Sequence, residues 1–226
     1  MPSPITTPYS DKFPVAKYES VHQRMGPYQP QHAKLYQHYA GGWNAVRFRS
    51  IGCERCLTEY TRLFAQHGAA PVAHVHIAQE NALYGFFSYA QSIIESWFFA
   101  MHAVASMDQS SAFPMATSAD LRGVTPVAVS KRFASTYLGS SISDAMNVVL
   151  SDCVYAEWKK LRNLLQHRVS PGRHQYYPPR TTPADADWVG MDLVLDQCTL
   201  SSRYPWLMST VGALVRASDD FTQQTF

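Results

Sequence analysis

One stretch of this chain restricts its fold more than any other: Phe86 to Ala105, FFSYAQSIIESWFFAMHAVA. Between Gln79 and Met107, Leu83, Phe86, Phe87, Ala90, Ile94, Trp97, Phe98, Met101, Val104 and Ala105 recur at the spacing of an α-helix that is apolar around most of its circumference. Such a helix must be surrounded. It is long enough to span a bilayer, but Ser88, Gln91, Ser92, Glu95, Ser96 and His102 interrupt it, a polar load that suits the centre of a helical bundle better than lipid. The expectation is therefore no membrane partner.

The remaining segments fit a bundle. In Ser50 to His67, Cys53, Cys56, Leu57, Tyr60, Leu63 and Phe64 mark a one-faced helix closed by Gly68 and Pro71. Thr125-Pro126 reads as an N-cap with proline in the first helical position, opening a helix to about Leu138 that Gly139 ends. From Ser141 or Ser143 a second long helix is expected to run to Arg168, its apolar stripe including Met146, Val149, Leu150, Cys153, Val154, Trp158, Leu161, Leu164 and Leu165. A last helix reaches about Asp220, with Pro205 at its start or at a kink. Residues 1–49, rich in Tyr, Pro and Gln, predict an irregular arm with one short helix near Gln31 to Ala40. The expected fold is a single all-α domain over residues 1–226: the arm over 1–49, then a bundle of four to five helices over 50–226. Two long helices would be central, with little or no strand.

Composition narrows the class. The chain has 226 residues, 46% hydrophobic and only 16% charged, which excludes disorder and leaves apolar surface for an oligomer. Its formal net charge is +2, so no global field draws nucleic acid, and any such site must be local. Four cysteines at uneven spacing make no disulfide framework, and the first residues, MPSPITTPYSDKFP, carry no apolar signal region, so a reduced cytoplasmic location is expected. There is no Gly-rich phosphate loop, no Ser-centred nucleophile elbow and no supported carboxylate pair, so NTPase and hydrolase readings find no footing.

The informative motif closes the second long helix: Lys160-Leu-Arg-Asn-Leu-Leu-Gln-His-Arg168, followed by Pro171-Gly172. Its plainest reading is a solvated helix end whose cations suit the negative pole of the helix dipole. A helical plot sets Tyr155, Lys159, Arg162, Asn163 and Gln166 opposite the apolar stripe, and aligns Lys159, Asn163 and His167 at a spacing of four. Arg162 and His167 stand about 140° apart around an ideal helix, so they converge only if the last turn distorts or a second subunit supplies the partner. Arg, Asn and His without metal ligands suit cleavage of RNA by its own 2′-hydroxyl. The histidine moves protons, and the arginine stabilises the charged phosphorane.

Arg162-Asn163-Leu-Leu-Gln-His167 resembles the signature of HEPN domains: an Arg, four to six residues, then a His, with a polar residue such as Asn directly after the Arg. The resemblance covers about residues 80–220. It implies a HEPN-like helical bundle and a metal-independent endoribonuclease without cofactor, a toxin or antiviral-defence effector. It further implies a homodimer whose two motifs face each other across the twofold axis, with an antitoxin or other regulatory protein as a further partner. Arg162, His167 and Asn163 are then the catalytic candidates, with Lys159, Gln166 and, on the neighbouring long helix, Glu95 in support. One departure stands out: some family members carry a Tyr two residues after the His, modified in toxin control, where this chain has Val169. The alternative is a catalytically inactive HEPN-like module that binds nucleotide, RNA or a protein partner.

Downstream, Arg168, Arg173, His174 and Arg180 interleave with Tyr176 and Tyr177, a basic and aromatic loop of the kind that holds a single strand and stacks its bases. A third reading uses Cys53, Cys56, His74 and His76 as metal ligands, although their spacing matches no zinc module and buried thiols explain the cysteines more simply.

Overall fold

A computed structural model describes residues 12–167, 173–175, 186–188 and 195–226, with the backbone alone at 166, 167, 173–175, 186 and 187. Among the described residues are eight α-helices: α1 (Val15–Met25), α2 (Ala33–His67), α3 (Ala73–Asp108), α4 (Ser118–Arg122), α5 (Pro126–Thr136), α6 (Ser141–Ser151), α7 (Cys153–His167) and α8 (Tyr204–Thr225). Two three-residue strands, β1 (Arg173–Gln175) and β2 (Ala186–Trp188), pair antiparallel, with Arg173 opposite Trp188. The fold is an all-α bundle, and no helix among the described residues is long and apolar enough to cross a membrane.

Four expectations are corrected. Over its described part, residues 12–49, the segment expected as an irregular arm is helical: α1 buries Tyr18, Val21 and Met25 at helical spacing, and α2 begins at Ala33 and continues for 35 residues. Over residues 50–226 the described helices number seven, α2 to α8, rather than four or five, because the capped turn α4 and a division of the second long helix add to the count. That division falls at Asp152, so the chain's two longest helices are α2 and α3 rather than α3 and the segment from Ser141 to Arg168. Finally, Tyr155 is buried and lies with the apolar residues of α7, not opposite them.

The chain divides into two units. Unit 1 comprises Met1–Ile51, Ile93–Val149 and Thr210–Phe226, and unit 2 comprises Gly52–Ser92 and Leu150–Ser209. In unit 1, Tyr18 stacks on Trp43 with ring centroids 4.9 Å apart, and the Trp43 Nε1–H donates to the Tyr18 carbonyl at 3.2 Å. Lys17, Ser20 and Arg24 of α1 all donate to the Asp219 carboxylate of α8, at 2.6, 2.8 and 3.1 Å. Gly42 lets α2 approach α3 closely: a Cβ there would stand 3.0 Å from the Ser96 carbonyl oxygen and 3.1 Å from the Ala100 Cβ. Thr125 caps α5 through the Ala128 N–H, with Pro126 in the first turn as the sequence predicts, and Gly139 takes the positive φ that closes the following turn.

Unit 2 is built around aromatic rings. Phe86 and Phe87 of α3 meet Trp158 of α7 edge-on at 5.8 and 5.9 Å, and Trp158 meets Trp206 at 4.9 Å. Trp188 of β2 closes on Phe87 at 6.3 Å and donates its indole N–H to Glu80 at 2.7 Å. This core fixes α7, the helix that carries the motif.

Candidate functional site

The position of α7 follows from three side chains. Asp152 caps its start, Oδ1 accepting from the Val154 N–H at 2.7 Å while Oδ2 accepts from the Trp206 indole at 3.0 Å. An N-cap carboxylate breaks the preceding helix and starts the next, which is why the apolar stripe runs through a boundary its periodicity does not show. One turn on, the Tyr155 hydroxyl accepts from Gln91 Nε2 at 3.1 Å, and Trp158 and Leu161 sink into the core.

Burial of 155, 158 and 161 turns 156, 159, 160 and 163 outward. Lys159, Lys160 and Asn163 are exposed, and with Ala156 and Leu164 they line a groove of about 450 Å³. Arg162 is half-buried on the flank, seven residues after Tyr155. Its guanidinium bends toward the groove, Nη1 donating to Asn163 Oδ1 at 3.1 Å. With its carbonyl oxygen so engaged, the Asn163 amide points donor capacity elsewhere. The groove is therefore lined by cations and amide donors, and no carboxylate lines it among the described residues.

The backbone remains α-helical through His167, so the last turn does not distort, and position 167 follows Asn163 by one turn on the groove side of α7. The side chains of Gln166 and His167 lie outside the described residues, as do the Arg173 and His174 side chains and the whole of Arg168 and Tyr176. The structure thus brings Lys159, Arg162 and Asn163 together. Glu95 belongs to unit 1, where it lines a separate cavity with Arg49 and Ser96. Sequence reasoning missed Lys160 as a groove residue; its spacing to Asn163 and position 167, three and seven, was the available signal.

The metal reading gains nothing from the geometry. Cys53 is buried, its thiol directed at the Phe86 carbonyl oxygen at 3.5 Å, and burial holds its pKa well above the ordinary value, which opposes the thiolate a metal would need. His76 pairs with Glu80 at 3.4 Å, while His74 is exposed. Among the described residues no group of three or more His, Cys, Asp or Glu side chains is placed to hold a metal ion.

No family model, curated protein sequence or solved structure matches this chain.

Proposed function

We propose that the chain is a metal-independent endoribonuclease of the HEPN type, working as a homodimer, whose site is built on the last turns of α7. The observation that carries this reading is the Arg162 to Asn163 hydrogen bond at the edge of the Lys159–Lys160 groove. It draws the guanidinium toward Asn163, which stands one turn before position 167.

In the proposed reaction the substrate 2′-oxygen attacks the adjacent phosphorus, the new O2′–P bond forming as the P–O5′ bond breaks. His167 takes the 2′-hydroxyl proton, and the histidine of the second copy gives one to the departing 5′-oxygen. Arg162 neutralises the non-bridging oxygens of the phosphorane, and Asn163 donates to one of them. Lys159 and Lys160 hold flanking phosphates. Arg168, Arg173, His174 and Tyr176 are assigned the single strand beyond the groove, with Gln166 in support. The products carry 2′,3′-cyclic phosphate and 5′-hydroxyl ends. A toxin or phage-defence role, and an antitoxin or regulatory partner, extend the same reading.

The test is cleavage of end-labelled RNA by purified protein in excess chelator. His167→Ala and Arg162→Ala are each expected to slow cleavage at least about 100-fold, the usual scale for losing an acid/base or charge-stabilising group. A 2′-deoxy substitution at the cleaved nucleotide should block it, and growth arrest on expression should be relieved by Arg162→Ala. Cleavage that survives His167→Ala, or that requires added divalent metal, refutes the mechanism. Tight RNA or nucleotide binding without cleavage would instead establish the inactive HEPN-like binding module.

A further inference from the structure

Residues 109–125 join α3 to α5 as a strap that buries little of itself. Within it only Phe113 and Met115 are buried, and α4, the five-residue helix it contains, buries no side chain. α4 is held together locally instead, by the reciprocal cap between Thr117 and Asp120. A segment with so few buried anchors belongs to the low-stability end of a fold, where local opening costs least. Its firmest hold is at Phe113 and Pro114. The Phe113 ring meets Phe133 at 5.0 Å, Tyr137 at 5.8 Å and, edge-on at 5.3 Å, His102 of α3. His102 Nε2 in turn stands 3.3 Å from the Pro114 carbonyl oxygen.

His102 is badly placed to carry a charge. The residue is fully buried, its Nδ1 has no hydrogen-bond partner among the described residues, and Arg132 Nη1 of α5 lies 3.4 Å from its Nε2. A proton on the ring would make Nδ1 a second donor with nothing to receive it, and would set one cation against another. Asp120 of α4 pulls the other way, but its carboxylate accepts from the Thr117 amide at 2.8 Å. The remaining charged groups around the ring are engaged elsewhere or turned outward. On α3 itself, Asp108 accepts from the Tyr137 hydroxyl, and on α5 Lys131 is exposed. From α2, Lys34 donates to the Ala116 carbonyl and His38 packs on Phe99, while α8 reaches this region through Phe221, its Asp219 being tied to α1.

We propose that His102 is an acid-sensitive latch whose protonation releases the strap of residues 109–125 from α3 and α5 while the rest of unit 1 stays folded. In the closed strap burial keeps the ring neutral down to about pH 4, whereas in the open strap water reaches it and it titrates near 6.5. As pH falls below 6.5 the open form therefore takes up a proton that the closed form refuses. The open fraction rises with acid, by about 50-fold between pH 7 and 4.5. Asp120 does not titrate in this window, because its hydrogen bonds from Thr117 hold the carboxyl below its ordinary value, and the cap of α4 stays intact. The latch lies in unit 1 and stands independently of the ribonuclease reading for α7.

Hydrogen exchange of the full chain, followed residue by residue by NMR and corrected for intrinsic rates, tests it. The amides of Phe113, Leu121 and Gly123, bonded to the carbonyls of Gln109, Thr117 and Ala119, report on the strap. They are expected to be less protected than amides in the middle of α3, such as Ile94, and to respond little to dilute urea because opening exposes little surface. From pH 7 to 4.5 their protection should fall about 50-fold. In His102→Gln, whose amide can still donate to Pro114 but does not titrate, that fall should vanish; His102→Leu, neutral and apolar like its surroundings, serves if the glutamine variant does not fold. The proposal is overturned if the fall persists in either folded variant, since another group must then titrate. It is also overturned if the strap is as well protected as the middle of α3, so that it leaves only on global unfolding. A flat pH profile over the three amides of the parent chain overturns it without any variant.

Discussion

His102 shows how a polar residue is carried in an otherwise apolar helix. It is fully buried in unit 1, with Nε2 3.3 Å from the Pro114 carbonyl oxygen and its ring edge-on to Phe113. Nε2 donates to the Pro114 carbonyl in one tautomer and accepts from Arg132 Nη1, at 3.4 Å, in the other, and Nδ1 is buried with no hydrogen-bond partner among the described residues. Burial, aided by the Arg132 guanidinium and only partly countered by the Pro114 hydrogen bond, lowers the pKa to about 4. In the unfolded chain the ring titrates at its ordinary value near 6.5, so between about pH 6.5 and 4 the unfolded state binds a proton that the folded state refuses. Stability from this residue is present above pH 6.5 and is lost as pH falls through that window, by roughly 3 kcal/mol in total. His102→Gln keeps a donor to Pro114 and removes the titration. Urea unfolding at pH 7 and pH 4.5 should show a smaller pH difference for the variant than for the parent chain, and equal differences would refute the assignment.

At the scale of the element, α1 is tied to α8 through one carboxylate. Burial alone would raise the Asp219 pKa, but hydrogen bonds from Lys17, Ser20 and Arg24 outweigh it and hold the carboxyl below its ordinary value. Its contribution is therefore complete above the ordinary carboxylate range and lost only as pH falls below it. Asp219→Ala leaves Arg24 half-buried without its carboxylate partner, though still bonded to the backbone carbonyl at 219 and the Thr222 hydroxyl, and should cost roughly 2–3 kcal/mol in urea unfolding. Backbone amides of α1 should exchange faster in the same variant; unchanged exchange there would show that α1 is held by Tyr18 and Trp43 alone. This tie was invisible in the sequence because its partners stand about 200 residues apart. Local chemistry was legible where one residue type does one job: Thr125-Pro126 opens α5, and the apolar period of α3 places its core. It failed where two signals compete. The Gly41-Gly42 pair concealed the middle of α2, since its compensation lies in Ser96 and Ala100, and Asp152 breaks a continuous apolar stripe because Trp206 and Val154 bind it. Of the α7 site, the exposed cationic face could be read from spacing. The inward turn of Tyr155 could not, because it depends on Gln91.

For the whole molecule, the open question is whether two units make one folding domain, as the sequence leads one to expect. The boundaries between them fall at 51/52 in α2, 92/93 in α3, 149/150 in α6 and 209/210 in α8, each inside a helix rather than in a linker. To unfold one unit alone, four helices would have to end in their interiors, each leaving up to four carbonyls or four N–H groups without helical partners and without a cap. Uncapped ends also forfeit the cooperative gain of propagation along helices of 35, 36, 11 and 22 residues. Independent domains avoid that cost by placing their boundary in a flexible, polar connection. The chain should accordingly unfold in a single transition, with calorimetric and van't Hoff enthalpies in agreement. Two core substitutions make the test sharper: Phe133→Ala lies in unit 1 and Trp158→Ala in unit 2, and each should lower the same transition by an amount typical of an emptied aromatic site, roughly 3–5 kcal/mol. If scanning calorimetry instead resolves two transitions, with Phe133→Ala moving one and Trp158→Ala the other, the units fold separately and continuity of the helices does not couple them.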